Sequence, residues 1–260
     1  MAILHAYHRP TTLTDALNLL QRRGVRLAPL AGGALLVPGL ETRTLRNIDG
    51  VVDIAHLGLD TLHVDGPGLR IGAMVRLAEL MAHPVAGTLA DGILRRTATC
   101  EGPVNLRNQA TVGGCVAAAE ADSELYAALL ALDARVTVQD GDGTRTVPLA
   151  DFSGPGRGLI IEVRIPRVEG LTGGHARVAR TPRDRPIVAA VAVLGHQGER
   201  VALCGVASRP LLAGAPLAPP DDCHGSRAYR LAMAGVLEQR AREEAHHGGR
   251  PTHQAGGAPA

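Results

Sequence analysis

The sequence contains no lysine and no tryptophan, and it has one phenylalanine and three tyrosines among 260 residues. All 27 basic side chains are therefore arginines, against 25 acidic ones, for a formal net charge of +2. A nearly neutral chain with few aromatic rings lacks the cationic surface and the stacking platforms of a nucleic-acid-binding protein. The absence of lysine also excludes a Walker A phosphate loop and Schiff-base catalysis.

Long apolar runs are missing as well, although hydrophobic residues make up 45% of the chain. No segment approaches the roughly 18 consecutive apolar residues that a membrane-spanning helix requires. Residues 1–10 have no basic region followed by an apolar stretch, so they do not resemble a signal peptide. We therefore expect a cytoplasmic protein with a core of Ala, Val, Leu and Ile.

The cysteines show no metal-binding or redox spacing. The four of them form no C-x-x-C pair, which argues against a disulfide framework, a metal site and an iron–sulfur cluster on this chain: Cys100, Cys115, Cys204 and Cys223. We interpret the tail histidines as solvated rather than as metal ligands: His246, His247 and His253. No nucleophile motif such as G-x-S-x-G is present, so no catalytic residue is predicted.

The hydrophobic pattern of the first half alternates between helix and strand. It predicts helices over 12–23, with Thr12 and Asp15 as a capping pair, and over 77–82, 85–97 and 123–132. It predicts strands over 25–30 and 51–54, and hairpins around the turns 65–68 and 140–143. The polar stretch 105–114 is expected to lead into the helix that begins near Ser123. This half therefore has an α/β pattern.

From residue 159 onwards the pattern is different. Short β-rich runs over 159–165, 175–180, 187–194 and 201–207 are typical of an antiparallel sheet. A helix is predicted from Ser226 to about Glu243, followed by a disordered tail over 244–260. The fold class is thus α/β followed by α+β. We predict three domains, over 1–57, 58–168 and 169–243.

Two glycine pairs stand out as candidate anion-binding loops. Gly32-Gly33 follows a predicted strand, and Gly113-Gly114 precedes a predicted helix. Paired glycines let backbone N–H groups turn towards an anion, and two such loops facing each other would cradle a pyrophosphate. The alternative is a simple tight turn, which the total of 32 glycines favours for either pair taken alone. No G-x-G-x-x-G motif accompanies the pairs, so a Rossmann site is disfavoured.

Motifs along most of the chain resemble the FAD-binding subunit of molybdenum hydroxylases, the family of xanthine dehydrogenase and of the medium subunit of aerobic carbon monoxide dehydrogenase. The similarity extends from about Tyr7 to Glu243. Its clearest segments are Tyr7-His8-Arg9-Pro10, Pro29-Leu30-Ala31-Gly32-Gly33, Val52-Asp53-Ile54, Thr111-Val112-Gly113-Gly114 and Ala228-Tyr229-Arg230. Further matches lie at 69–73, 77–80, 107–108, 128–132, 147–152, 162–166 and 179–180.

The resemblance implies a fold, a cofactor and partners. The fold is one of two α/β FAD-binding subdomains, over 1–57 and 58–168, followed by a C-terminal α+β domain. The function is electron transfer: the subunit receives electrons from the [2Fe-2S] clusters of a small ferredoxin-like partner, in a complex whose large subunit carries molybdopterin. FAD passes them on to NAD⁺, oxygen or a quinone-type acceptor. A dimer of heterotrimers is expected.

The resemblance also implies which residues contact FAD. Two segments correspond to the pyrophosphate loops: Ala31, Gly32, Gly33, Ala34, Leu35 and Leu36, and Thr111, Val112, Gly113, Gly114 and Cys115. Glu124 stands where the family has an acid that binds the sugar-alcohol portion of the flavin. Ile160 and Ile161 stand where the family packs an aliphatic side chain against the isoalloxazine.

The chain departs from the family at three of these positions. Ala34 and Leu35 replace the usual Thr or Ser and a following polar residue, and Cys115 replaces the usual Asn. Each lost side-chain hydrogen bond is worth about 0.5–1.5 kcal/mol, so we expect weakened rather than abolished FAD binding. The alternative is a flavin-free structural subunit with a degenerate FAD site.

Overall fold

The computed structural model describes residues 5–196 and 198–248, which form a mixed α/β structure. The predicted fold class is confirmed. The strands are β1 (Ala6–His8), β2 (Leu27–Leu30), β3 (Gly50–Asp53), β4 (Leu62–Asp65), β5 (Gly68–Gly72), β6 (Arg135–Asp140), β7 (Gly143–Pro148), β8 (Leu159–Ile165), β9 (Thr172–Val178), β10 (Val188–Gly195), β11 (Gly198–Cys204) and β12 (Leu211–Leu212). The helices are α1 (Leu13–Leu20), α2 (Leu36–Glu41), α3 (Leu77–Ala82), α4 (Pro84–Thr88), α5 (Ile93–Cys100), α6 (Val104–Arg107), α7 (Val112–Ala118), α8 (Glu124–Ala131) and α9 (Arg227–His246).

The described residues fall into two compact units. The first comprises those within Met1–Glu79, Val104–Ala118 and Arg135–Ile165, and the second those within Leu80–Pro103, Ala119–Ala134 and Pro166–Ala260. Each unit is thus assembled from segments that are separate in sequence. The three domain boundaries given above remain a prediction.

The first unit contains a three-stranded parallel sheet in the order β1-β3-β2. Helix α1 begins after Thr12, whose hydroxyl oxygen accepts a hydrogen bond of 3.1 Å from the N–H of Asp15, as the capping pair predicts. The helix packs Ala16 and Leu17 against Val52 of β3. Because the strands are parallel, their carboxyl ends lie along one edge, and the first glycine pair follows β2 at that edge.

The first unit also contains a five-stranded sheet in the order β4-β5-β8-β6-β7. Both predicted hairpins are present in it, as β4–β5 and β6–β7. Strand β8 pairs with β5 and with β6, and the register shifts opposite Ile161. Residues 159–165 are therefore a strand, as predicted, but they belong to this sheet and not to the C-terminal one.

The second unit is built around a four-stranded antiparallel sheet in the order β12-β11-β10-β9, covered by α9. Strand β9 approaches that helix very closely, since a Cβ on Gly174 would lie 1.8 Å from the carbonyl oxygen of Ala241. A Cβ on the neighbouring Gly173 would lie 2.3 Å from the carbonyl oxygen of Ala90. This glycine pair is thus required by packing.

Several elements differ from the sequence prediction. The helix expected over 85–97 is two helices, α4 and α5, because Ala90, Asp91 and Gly92 adopt positive φ values that end one helix before the next begins. The polar stretch 105–114 contains α6 and the start of α7. The short strand β1 was not predicted, since it spans only Ala6–His8.

The C-terminal helix α9 continues to His246, beyond the predicted end near Glu243. Residues 244–246, which the prediction assigned to a disordered tail, are therefore helical. The remainder of that predicted tail from residue 249 on, including His253, lies outside the described residues. No helix within 5–196 and 198–248 combines the length and the apolar character needed to cross a bilayer.

Candidate functional site

The segment after β2 presents a series of backbone donors. None of the N–H groups from Ala31 to Leu36 donates to a backbone carbonyl within the described part of the chain. Gly33 has φ +71°, a left-handed conformation that turns successive N–H groups towards a common side. The segment therefore has the donors that an anion requires.

The two glycine segments of the first unit lie against each other. A Cβ on Gly32 would lie 1.7 Å from the carbonyl oxygen of Gln109 and 3.2 Å from the Cα of Ala110. Only glycine permits this approach of one backbone to another. The structure thus brings the first glycine pair next to the residues that precede Thr111.

The second glycine pair is not a loop. Gly113 and Gly114 lie in the first turn of α7, and their amides already have partners. Val112 donates to the carbonyl of Val75, Gly113 to that of Ala73, and Cys115 to that of Thr111, at 2.9 Å each. Gly114 donates to the Thr111 hydroxyl oxygen at 3.1 Å, so this hydroxyl caps the helix. Sequence reasoning missed α7 because two consecutive glycines are unfavourable in a helix.

Strand β8 connects to this second pair through Ala73. The N–H of Ala73 donates to the carbonyl of Ile161 at 3.1 Å, while the carbonyl of Ala73 accepts from Gly113 at 2.9 Å. Ile160 is buried and Ile161 is half-buried. The structure therefore brings Ile161 and Gly113 together, each bonded to the same residue.

A polar cluster lies at the carboxyl edge of the parallel sheet, one strand from the first glycine pair. Asp53 ends β3, and the Tyr7 hydroxyl donates to its Oδ2 atom at 2.5 Å, while the N–H of Ala55 donates to Oδ1 at 2.9 Å. The Nε atom of Arg9 lies 3.9 Å from Oδ2, and its guanidinium contacts the His56 ring. Burial favours the neutral form of Asp53, but its hydrogen bonds and the charge of Arg9 outweigh burial and lower its pKa.

Glu124 lies in the second unit and is 1% exposed. It begins helix α8, after the capping residue Ser123. Its Oε2 atom is hydrogen-bonded to the His175 ring, and its Oε1 atom accepts from the Nε of Arg177 at 3.0 Å. Burial acts to raise the pKa of Glu124, but the hydrogen bond and charge of His175 and the charge of Arg177 hold it below its ordinary value.

His175 and its neighbours lie in strand β9, which begins at Thr172, three residues before the predicted β-rich run over 175–180. His175 is an inward-facing partner of Glu124. Arg177 lies in the same strand, and Arg185 lies between β9 and β10. Arg177 pairs with Glu124, and Arg185 pairs with Glu101, Glu120 and Asp122. Both arginines are thus held by acids of their own unit.

Two thiols of the second unit, Cys100 and Cys204, have raised pKa values, which disfavour the reactive thiolate form. Burial and the nearby Glu124 carboxylate raise the pKa of the Cys100 thiol to about 11, and burial raises the pKa of Cys204 well above its ordinary value. The four cysteines form no disulfide. Within 5–196 and 198–248, no three His, Cys, Asp or Glu side chains are arranged to hold a metal ion.

Residues 3–168 match the model of a known family, described as the FAD binding domain in molybdopterin dehydrogenase. The chain belongs to this family. It is therefore the flavoprotein component of a molybdopterin-dependent dehydrogenase complex, an oxidoreductase subunit. The expected resemblance is confirmed.

Individual proteins are similar to this chain over most of its length, in sequence and in structure. The uncharacterized protein YgfM of Escherichia coli K12 is 32% identical over 90% of this chain and 94% of its own length. The carbon monoxide dehydrogenase medium chain of Afipia carboxidovorans is 29% identical over 92% of this chain and 96% of its own. A solved chain of reconstituted CO dehydrogenase from Oligotropha carboxidovorans superimposes with a TM-score of 0.87 at 27% identity, covering 95% of this chain and 99% of that one.

The first glycine segment of this FAD-binding domain fits a diphosphate. Its N–H groups have no backbone acceptor in the described part of the chain, and the left-handed φ of Gly33 turns them towards a common side. The second segment fits less directly, because its amides are bonded within the protein.

Sequence reasoning did not single out Arg9 or His56, although Tyr7–Pro10 and Val52–Ile54 carried part of the resemblance. Their clustering depends on the strand order β1-β3-β2, which no local pattern reveals.

Proposed function

We propose that the chain is the FAD-carrying electron-transfer subunit of a molybdenum hydroxylase complex. Bound FAD would accept electrons from the [2Fe-2S] clusters of a small ferredoxin-like partner and pass them to NAD⁺, oxygen or a quinone-type acceptor. The large partner would carry molybdopterin, and the assembly would be a dimer of heterotrimers in the cytoplasm. The substrate would bind on the large subunit.

The observation that supports this proposal most strongly is the row of N–H groups from Ala31 to Leu36. In a chain of the FAD-binding family, backbone donors without backbone acceptors next to a glycine pair are suited to bind the oxygens of a pyrophosphate. These residues are the proposed main diphosphate contacts. The protein's contribution is to bind and orient the cofactor, which supplies the redox chemistry.

The second segment has a supporting role in this proposal. The capped start of α7 is formed by Thr111, Val112, Gly113, Gly114 and Cys115. The first segment lies against Gln109 and Ala110, which directly precede it. Ile160 and Ile161 are the proposed aliphatic contacts of the isoalloxazine. Glu124, ionised and fixed by His175 and Arg177, is the proposed polar anchor of the sugar-alcohol portion.

A second candidate function is a flavin-free structural subunit of the same kind of complex. One observation favours it: the amides of Val112–Cys115, which the resemblance assigns to the pyrophosphate, donate to protein acceptors. Ala34, Leu35 and Cys115 also lack the side-chain donors and acceptors usual in the family. In this case the fold would serve only to hold the partner chains together.

The visible spectrum of the complex, purified with its partners, distinguishes the two functions. We expect flavin absorption equivalent to one FAD per chain, released by acid. Absence of FAD in a preparation that retains the molybdenum centre would overturn the proposal in favour of the structural subunit.

A variant can locate the bound FAD. Leu35 is 46% exposed, so Leu35→Glu should fold normally while placing a negative charge beside the diphosphate. We expect FAD affinity to fall about tenfold or more. Val25→Glu is the matched control, because Val25 is a similarly exposed apolar residue that precedes β2. Equal FAD affinity in the two variants would refute the assignment of the first segment.

A further inference from the structure

We propose that Arg9 is a phosphate-binding residue of this domain, at the carboxyl edge of the parallel sheet. This inference rests on the proposed function, because it assigns Arg9 to the diphosphate of the same FAD. The chain has no lysine, so a cationic side chain that donates to a phosphate oxygen must be an arginine or a protonated histidine.

The strand order places Arg9 close to the first glycine segment. In the register of the sheet, His8 lies opposite Val52, and Leu30 lies opposite Asp53. Arg9 therefore leaves β1 at the same edge at which Ala31 leaves β2, with only β3 between them. Neighbouring strands are about 4.8 Å apart, so these two chain ends are separated by a distance that an extended arginine side chain can bridge.

The side chain of Arg9 points in the required direction. Its Nε atom is 3.9 Å from the Oδ2 atom of Asp53, so the guanidinium lies over the end of β3, the strand that separates β1 from β2. Asp53 is in turn fixed by the Tyr7 hydroxyl and by the N–H of Ala55. The carboxylate thus acts as an anchor that holds the guanidinium at the sheet edge.

Arg9 keeps donors for a ligand after this anchoring. A guanidinium has five N–H donors, and the contact with Asp53 involves the Nε side only. The side chain is 58% exposed, and it also contacts the exposed His56 ring. The exposed Arg9 guanidinium and the N–H groups of Ala31–Leu36 thus lie along one sheet edge. Bidentate binding of phosphate oxygens is the geometry that arginine favours.

The test separates the phosphate half of FAD from its flavin half. The full-length chain is stripped of flavin and titrated with FAD, with ADP and with riboflavin, which has no phosphate. Arg9→Gln should weaken binding of FAD and of ADP by about 10- to 100-fold, while riboflavin binding is unchanged. Arg9→Lys keeps the positive charge but not the planar guanidinium. Its affinities for FAD and ADP should lie between those of the wild type and those of Arg9→Gln. Arg22→Gln, at an exposed position of the same unit, should bind like the wild type.

The outcomes keep this proposal distinct from the proposed function. ADP and FAD affinities equal to wild type in Arg9→Gln would overturn the role of Arg9 and leave FAD binding intact. Equal losses for riboflavin and ADP would also overturn it, since Arg9 would then act only through the folded structure around Asp53. A wild-type chain that binds ADP but not FAD refutes the proposed function alone. A chain that binds neither refutes both.

Discussion

The amide of Gly113 donates a hydrogen bond of 2.9 Å to the carbonyl oxygen of Ala73. The two residues are so close that a Cβ on Gly113 would lie 2.6 Å from the Cβ of Ala73 and 2.9 Å from its Cα. The start of α7 is therefore packed directly on the end of β5. Glycine at position 113 has a packing reason that does not depend on any cofactor.

The first prediction concerns this contact. Gly113→Ala should lower the free energy of unfolding by about 1–3 kcal/mol, because the added methyl group meets backbone atoms that have no room to move. Gly235→Ala is the control: it lies in α9 with no atom within 4 Å of the added Cβ. There the substitution should stabilise the helix by about 0.5–1 kcal/mol. Urea unfolding measures the free energy of unfolding of both variants. An equal decrease in Gly235→Ala and Gly113→Ala would contradict the packing argument.

The second prediction concerns the departure from the family at Leu35. Replacing this exposed residue by serine returns a polar side chain to position 35, beside the proposed diphosphate. Leu35→Ser should tighten FAD binding by about 2- to 10-fold, the worth of one hydrogen bond, with little change in stability. Fluorescence titration with FAD measures the affinity. Affinity unchanged or lower in Leu35→Ser would indicate that this side chain does not face the cofactor.

The third prediction follows from the lowered pKa of Glu124. Its ordinary value is 4.5, and the folded value lies below it, so the unfolded chain binds the proton more readily. The ionised carboxylate therefore contributes its full stabilisation above about pH 4.5, and this contribution is lost as the pH falls through the folded pKa. Glu124→Gln should cost about 3 kcal/mol near neutral pH, since it leaves His175 and Arg177 without their acid.

The difference between wild type and Glu124→Gln should then shrink as the pH falls below 4.5. Burial raises the pKa of the neighbouring Glu101, which acts in the opposite direction, and the Glu124 charge adds to that shift. The burial part is common to both proteins and cancels in the difference, and the smaller part from Glu124 is absent in Glu124→Gln. Asp133→Asn removes an exposed ion pair with Arg200 and should cost less than about 1 kcal/mol at any pH. A difference for Glu124→Gln that does not vary between pH 3 and 7 would contradict the assigned ionisation.

The sequence predicted best those elements whose signals are local. Thr12 caps α1 as its spacing from Asp15 indicates, and α8 begins directly after Ser123, where a helix was expected. The turns at 65–68 and 140–143 join the expected hairpins. Elements that depend on distant contacts were missed. Helix α7 begins with two glycines and is held by Ala73 and Val75, which are far away in sequence.

The candidate site shows the same division. Both glycine pairs were visible in the sequence. The sequence did not show that the amides of the second pair are bonded to protein acceptors while those of the first pair have no backbone acceptor, because this depends on contacts in the folded chain. Glu124 was assigned from the resemblance, whereas its partner His175 lies 51 positions away. Arg9 and Asp53 meet only because β3 lies between β1 and β2.

The last prediction concerns Arg230, which is 5% exposed within the second unit. Its guanidinium donates to the carbonyls of Ile187 and Gly205, at 2.5 and 3.1 Å, and forms two bonds of 2.8 and 3.0 Å with the Asp222 carboxylate. Lysine cannot reproduce this planar fork, so Arg230→Lys should lower the free energy of unfolding by about 3 kcal/mol. Arg240→Lys, on an exposed face of the same helix, should change it by less than about 0.5 kcal/mol. Chemical unfolding of the two variants measures the contrast, and equal midpoints would show that the charge of Arg230, rather than its geometry, stabilises the C-terminal sheet.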